Sequence, residues 1–362
     1  MRRNPPQKRS PPQKTRKPAK SADIWTVSVL DGTQDIVRNE LVRRFRDDCS
    51  FVKHPRTDEI HFRFSGAAES LLSLTTAQTL LLRKDFAVLR PRTLLSPEHM
   101  TAVIDLVQKA RNVAGADAGT SFRFDAAGAE SPTMLRIAEQ IENRLGLPLN
   151  HETGDCVVTF RPSARGWEVL CRVGNRPLAT RSWRKVNYHG SLNAAIASCM
   201  VELARPKRGD RYLNIMCGSG TLLIERLLRQ RTRIAVGVEI SETAISACME
   251  NAEAAGVADR LQLITGDARD IEFPDGSFDV VTSDLPYGKH HGSGPSNISL
   301  YRDSLVEAAR LCRIGGMMVI LTQDIPSLKT ILPEIDDTWM MIDEREIVQR
   351  GYRPFCITLQ KR

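Results

Sequence analysis

Apolar positions follow two different rhythms along the chain. From about residue 192 onward, short runs of consecutive apolar residues alternate with segments of 3–4 spacing. The runs RYLNIM (211–216), RIAVGVE (233–239), LQLIT (261–265), FDVVTS (278–283) and MMVILT (317–322) read as strands. Unbroken apolar runs are expected where both faces of a strand are covered. Between them the spacing predicts helices near 192–203, 220–230, 242–255 and 299–313. This alternation predicts an open, doubly wound parallel sheet. EREIVQ (344–349) and FCITLQ (355–360) read as a closing antiparallel pair. There is no internal repeat.

The front half mixes shorter pieces. IWTVSVL (24–30), EIHFRF (59–64), SFRFD (121–125) and stretches near 148–151 and 155–161 read as strands. Helical spacing appears at Val37, Leu41 and Phe45, over a Leu-rich stretch at 67–75, over 97–110, and at Met134, Ala138, Ile141 and Leu145. Small α+β modules follow from this pattern. WEVLCRV and RPLATRSW read as two strands meeting at Gly174-Asn175, a hairpin turn signal. The expected division is a basic tail (1–21), a first module (22–95), a second (96–165), a hairpin linker (166–190) and the βα-alternating domain (191–362).

Charge changes the picture only after it is located. The chain of 362 residues carries 51 Lys+Arg against 43 Asp+Glu, a net +8. Residues 1–20 hold eight Lys/Arg, five Pro and no acid, so the remainder is formally neutral. Such a tail cannot bury enough surface to fold and is expected to be disordered. It is either a solubilising segment or a non-specific phosphate-binding arm. Hydrophobic residues make up 41 % and charged residues 26 %, as in soluble globular proteins. No stretch reaches the roughly 18 apolar residues of a membrane span. The eight cysteines form no CxxC pair, which excludes a zinc finger or redox dithiol; they read as core residues of a cytoplasmic protein. No metal is expected. In the ribbon, Arg172, Arg176, Arg181, Arg184 and Lys185 surround Trp183 without an acid, so it could track an RNA backbone or form a solvated face.

Three strand ends carry chemistry. LNIMCGSGT (213–221) places a glycine turn between a strand and a helix, which aims backbone N–H groups at a ligand. Glu239 ends the next strand, 21 positions after Gly218, where an acid can grip two ribose hydroxyls. These features favour a nucleoside-bearing cofactor without separating a dinucleotide from S-adenosylmethionine. LITGDARD (263–270) puts Asp267 where it can meet an adenine amino group. The fourth strand ends in SDLPYGK (283–289), the most specific signal. Pro286 forces an extended backbone before it, which turns the Leu285 carbonyl outward. The Asp284 carboxylate and that carbonyl can accept the two N–H donors of a planar amino group, with the Tyr287 ring stacked behind.

CGSGT, Glu239, GDA and DLPYG, in this order, resemble the class I S-adenosylmethionine-dependent amino-methyltransferases. The L-P-Y-G form resembles the tRNA guanine-N2 branch, and residues 22–165 resemble its ferredoxin-like and THUMP modules. The acid common on strand one of relatives is Asn214 here. The resemblance implies a Rossmann-like methyltransferase domain behind those modules, and guanine-N2 methylation in the acceptor stem of tRNA at the sixth nucleotide. It implies cofactor contacts at Asn214, Met216, Cys217, Gly218, Gly220, Thr221, Glu239, Asp267, Ala268 and Asp284, and catalysis at Asp284, Leu285, Pro286 and Tyr287. A monomer is expected. Ribosomal RNA guanine N2, adenine N6 and a non-catalytic RNA-binding adaptor are the alternatives.

Overall fold

The computed structural model describes residues 23–286, 295–349 and 351–362. The basic tail expected to be disordered, and Tyr287 and Gly288 of the DLPYG motif, lie outside the described residues.

The front half contains β1 (Ile24–Ser28), α1 (Gln34–Phe45), β2 (Cys49–Val52), β3 (Glu59–Phe64), β4 (Thr79–Phe86), α2 (Pro97–Ala114), β5 (Phe122–Asp125), α3 (Pro132–Leu145), β6 (Cys156–Ser163) and β7 (Gly166–Arg172). They build one seven-stranded sheet, β2-β3-β1-β4-β7-β6-β5. Strand side chains alternate between faces, and the two faces differ sharply here. Trp25, Val27, Leu80, Leu82, Val169 and Cys171 join a single hydrophobic core with residues of the three helices.

The opposite face carries buried charge. Arg161 grips Glu59 through two bonds of 2.6 and 2.7 Å and Glu168 at 2.8 Å. Arg83 lies 3.0 Å from Glu168. His54 Nε2 meets Glu168 at 2.8 Å, and His61 Nε2 lies 2.9 Å from Glu59. Burial alone would raise the Glu59 pKa, but bonds from Arg161 and His61 hold it down at about 2. Burial pushes His61 below its usual value. Ligand atoms of His54, Glu59 and His61 all lie within 4.8 Å of one another, close enough for a metal. The two carboxylates nevertheless already face the guanidiniums of Arg83 and Arg161, which balance their charge.

The second half contains α4 (Ala194–Leu203), β8 (Arg211–Ile215), α5 (Thr221–Arg229), β9 (Ile234–Glu239), α6 (Glu242–Ala254), β10 (Gln262–Thr265), β11 (Phe278–Asp284), α7 (Pro295–Leu311), β12 (Cys312–Thr322), α8 (Ile325–Ile331), β13 (Trp339–Glu346) and β14 (Phe355–Lys361). Its sheet runs β10-β9-β8-β11-β12-β14-β13. The first five strands are parallel, and β14 and β13 pair antiparallel. Separate hydrophobic clusters fill its two sides, as expected of a Rossmann-like sheet. The order reverses at β8, and such a switch point opens a crevice at the carboxyl ends of β8 and β11.

The halves are tied together. Glu202 of α4 receives Arg43 of α1 at 2.6 Å and Arg229 of α5 at 2.5 Å. Gln78 and Asn193 exchange amide bonds of 3.2 Å. Arg345 of β13 reaches Asp35 at 2.8 Å.

Several sequence expectations change. The hairpin reading of 166–190 fails, because residues 166–172 are β7, an inner strand of the front sheet between β4 and β6. RPLATRSW holds no strand. The expected helix at 67–75 is a 3-10 helix over Ala68–Ser73, and 148–151 contributes only a bridge from Leu149 to Phe122. The final pair begins earlier, at Trp339.

Candidate active site

The crevice is built from three turns. In the first, Met216 (φ +53°), Gly218 (φ +52°) and Gly220 (φ +81°) bend β8 sharply into α5. Gly220 must be glycine for packing, since a Cβ there would stand 2.2 Å from the Cys248 sulfur of α6. A Cβ on Gly218 would meet nothing within 4 Å. The turn is thus closed on its protein side and open on the other. Cys217 is buried and donates its backbone N–H to the Val238 carbonyl at 3.0 Å. The thiol points into the protein, so only backbone at 217 is offered to a ligand.

The second turn holds Glu239. Its two oxygens accept Gly218 N–H and Ser241 N–H, each at 3.0 Å. The acid fastens the glycine turn and keeps spare lone pairs for hydroxyls. Ile240, next along the chain, is 71 % exposed. Sequence reading missed it; its only signal is an apolar residue between a strand-ending acid and the Ser241 cap of α6. In the third turn, Asp267 accepts the backbone N–H of Arg269 at 2.9 Å and its guanidinium at 2.6 Å. The Arg269 bonds pull the Asp267 carboxyl below its ordinary range. An adenine amino group would therefore share this carboxylate with Arg269. Ala268 is buried beside it.

Strands β8 and β11 supply the centre. Asn214 is fully buried and donates to the Thr282 carbonyl at 3.0 Å. Its Oδ1 has no partner, and neither does the buried Oδ1 of Asp284. Register pairs Asn214 with Thr282, so Asn214, Thr282 and Asp284 project to one side of the sheet. Burial pushes the Asp284 carboxyl up to about 7. Leu285 is buried and donates its N–H to the Leu321 carbonyl at 2.8 Å. Tyr301 of α7 donates its hydroxyl proton to the Pro286 carbonyl.

The basic ribbon behaves differently from the sequence expectation. Arg172 donates to the backbone carbonyls of Gly174, Asp155 and Asn175. Arg181 bonds Glu225 of α5 at 2.7 Å and the Thr75 carbonyl of the front half at 2.6 Å. Arg184 bonds the Leu192 carbonyl at 2.7 Å and the Thr221 hydroxyl at 2.9 Å. Trp183 is buried in a core cluster. The three guanidiniums satisfy carbonyls left open by an irregular segment, and the Trp183 ring fills the core. Arg176, 3.9 Å from Asp117, and Lys185 keep exposed side chains. The segment instead straps the glycine turn. Asn251 accepts from Lys185 N and Val186 N at 2.8 and 3.0 Å, and the Ser191 and Ser219 hydroxyls meet at 2.8 Å. A groove of about 670 Å³ lies beside the strap at the junction of the halves, lined by Arg43, Arg44, Arg176 and Arg229 among others.

Comparison with known proteins agrees with this architecture. Residues 181–353 match the family model described as "RMKL-like, methyltransferase domain". A mouse protein named U6 snRNA (guanine-N(2))-methyltransferase THUMPD2 is 33 % identical over 148 residues, which covers 41 % of this chain and 27 % of that one. The chain thus spans only about a quarter of the length of the curated relatives it matches first. A Thermus thermophilus protein named tRNA (guanine(6)-N2)-methyltransferase is 27 % identical over 343 residues, 91 % of this chain and 97 % of that one. The crystal structure of TrmN from Thermus thermophilus superposes with a TM-score of 0.74 at 21 % identity, over 94 % of this chain and 100 % of that one. Residues 181–353 thus form a methyltransferase domain of the kind that family model describes, and the chain as a whole is similar in sequence and in fold to proteins named guanine-N2 methyltransferases.

Proposed function

We propose that this chain methylates the exocyclic N2 of a guanine in tRNA, using S-adenosylmethionine, with the acceptor-stem nucleotide 6 as the target. The observation that carries the reading is the buried, unpartnered Asp284 oxygen at the end of β11, beside the open face of the Gly218 turn. An orphaned acceptor in a crevice is costly unless a ligand satisfies it. The full-length Thermus relative, by its name, supports guanine 6.

The residues present fit the cofactor. Glu239 would take the ribose hydroxyls, Ile240 would cover one face of the adenine, and Asp267 with Ala268 would border its edge. Asn214 Oδ1 offers a neutral acceptor deep in the crevice. S-adenosylmethionine supplies an electrophilic methyl, so the protein needs no nucleophile of its own. The guanine amino lone pair is delocalised into the ring. Hydrogen bonds from its two N–H groups to Asp284 and the Leu285 carbonyl favour a pyramidal, more nucleophilic nitrogen. Asp284, with its pKa near 7, is suited to take the released proton. Holding the reactants in line contributes much of the acceleration. The target base must leave its stem first, and Tyr287 would stack on it.

We assign RNA gripping to the front half, with residues 22–95 as the ferredoxin-like module and 96–165 as the THUMP module. Arg176 and Lys185 are the ribbon positions left to meet phosphate. The strap over 173–190, which follows β7, acts as the connection between grip and crevice. We also propose a cytoplasmic monomer. No helix among the described residues is long and apolar enough to cross a membrane.

Radiolabelled methyl transfer into unmodified tRNA, followed by nucleoside mass spectrometry, tests the proposal. N2-methylguanine at nucleotide 6, lost in Asp284→Ala, is the expected result. Label on adenine, or equal label with Asp284→Ala, overturns it.

A further inference from the structure

We propose that Tyr301 is a positioning residue for methyl transfer, the last link of a hydrogen-bond relay that fixes the Leu285–Pro286 backbone; this rests on the function proposed above. The relay runs from α8 to the motif. The Asp324 backbone N–H meets Thr322 Oγ1 at 3.0 Å, Thr322 Oγ1 meets the Tyr301 hydroxyl at 2.8 Å, and that hydroxyl meets the Pro286 carbonyl. Both ends have a fixed role. A backbone N–H only donates and a carbonyl only accepts. The two hydroxyls between them must therefore each pass their proton toward Pro286, and the whole chain has one direction. Aligned bonds of this kind strengthen one another in a buried setting. Tyr301 and Thr322 are both fully buried.

The placement matters because of what lies between the pinned atoms. Leu285 donates its N–H to the Leu321 carbonyl at 2.8 Å, which ties the segment to β12. Pro286 has no N–H to give, so its carbonyl is its one backbone handle. The relay takes that handle and ties it to α7. The Leu285 carbonyl, the second acceptor for the guanine amino group, is thereby held from both sides, next to a proline whose φ is already restricted. Asp324 anchors the far end: its carboxylate accepts from Asn297 at 2.9 Å and from the Ser327 hydroxyl at 2.7 Å, locking α7 to the start of α8. Tyr301 is fully buried, so it acts through Pro286 rather than on substrate.

Tyr301→Phe removes the proton donor and keeps the ring. The expected result is a fall in kcat of about 10- to 100-fold, with the KM for S-adenosylmethionine and the Kd for S-adenosylhomocysteine within twofold of wild type. Thr322→Val should give a comparable loss, and the double variant should be no slower than Tyr301→Phe alone, because a relay broken once carries nothing further. Additive losses, a changed cofactor Kd with kcat preserved, or an unchanged kcat overturn the proposal. A second readout separates it from the function itself. Amide exchange at Leu285 should be at least about tenfold faster in Tyr301→Phe, whether or not tRNA is the substrate. Unchanged exchange there sinks the relay, while an inactive wild type with accelerated exchange in the variant sinks only the assigned reaction.

Discussion

Two of the places where this protein buries ionisable groups treat them in opposite ways. On the outer face of the front sheet, Glu59, Glu168 and Arg83 have buried side chains and are bonded with the half-buried Arg161, and each carboxylate has a guanidinium. At the tips of β8 and β11, Asn214 and Asp284 each leave an acceptor oxygen buried with no partner. The first arrangement is a finished structure. The second is incomplete until something binds. Burial drives Asp284 up to about 7, while the guanidiniums overcome the same effect at Glu59 and hold it at about 2. Opposite shifts of two buried acids distinguish a site from a scaffold.

The contrast breaks most visibly at Asp284. Asp284→Asn should lower methyl transfer by about 10²- to 10⁴-fold. It should also stabilise the protein. A carboxyl with a raised native pKa binds more protons folded than unfolded, so wild-type stability falls as pH climbs from about 4 through about 7. The variant escapes that loss, and its melting advantage should grow over this range and level off above pH 8, worth roughly 1–4 kcal/mol. An equally stable variant at pH 8 would mean the native site is already satisfied.

The scaffold should respond the other way. Glu168→Gln leaves Arg83 and Arg161 short of a carboxylate and should cost about 3–5 kcal/mol in denaturant unfolding, with S-adenosylhomocysteine affinity preserved. The network also sets an acid limit. Glu59 has a depressed native pKa, so its stabilisation is present above about 4.5 and lost as pH falls toward about 2; His61, also depressed, removes stability as pH drops below its usual value near 6.5. Glu59→Gln should flatten the lower of these two slopes in acid melts.

Smaller effects sharpen the site. Gly218→Ala meets no atom but forces a side chain into the left-handed region, at about 1 kcal/mol; its Cβ would stand on the open face and weaken S-adenosylhomocysteine binding in calorimetry. Smallest is the ribbon. Arg176→Ala and Lys185→Ala should each reduce the salt slope of tRNA binding by about 1, whereas Arg172→Ala should lower Tm and leave the slope alone.

The parallel sheet was legible because apolar runs of strand length are hard to read otherwise. The glycine turn, Glu239 and Asp284 were legible because strand tips in this topology face the crevice. β4 was missed because Arg83, Lys84 and Asp85 end its apolar run, and pattern reading treats charge as solvated. Arg83 is in fact buried against Glu168. The arginine ribbon misled for the same reason: its guanidiniums turn inward to carbonyls that no periodicity announces. Tyr301 and Asn251 carried no local signal, since their partners lie 15 to 66 positions away.

Arg181 joins a front-half carbonyl to the helix that starts at the cofactor turn, with one planar fork and no flexible tether. The span from grip to crevice is then a property of rigid geometry and not of linker statistics. On the function proposed above, such a protein would count along its substrate: a helix seated by one end would offer whichever nucleotide falls at that fixed reach, and its neighbours would arrive out of range whatever their identity.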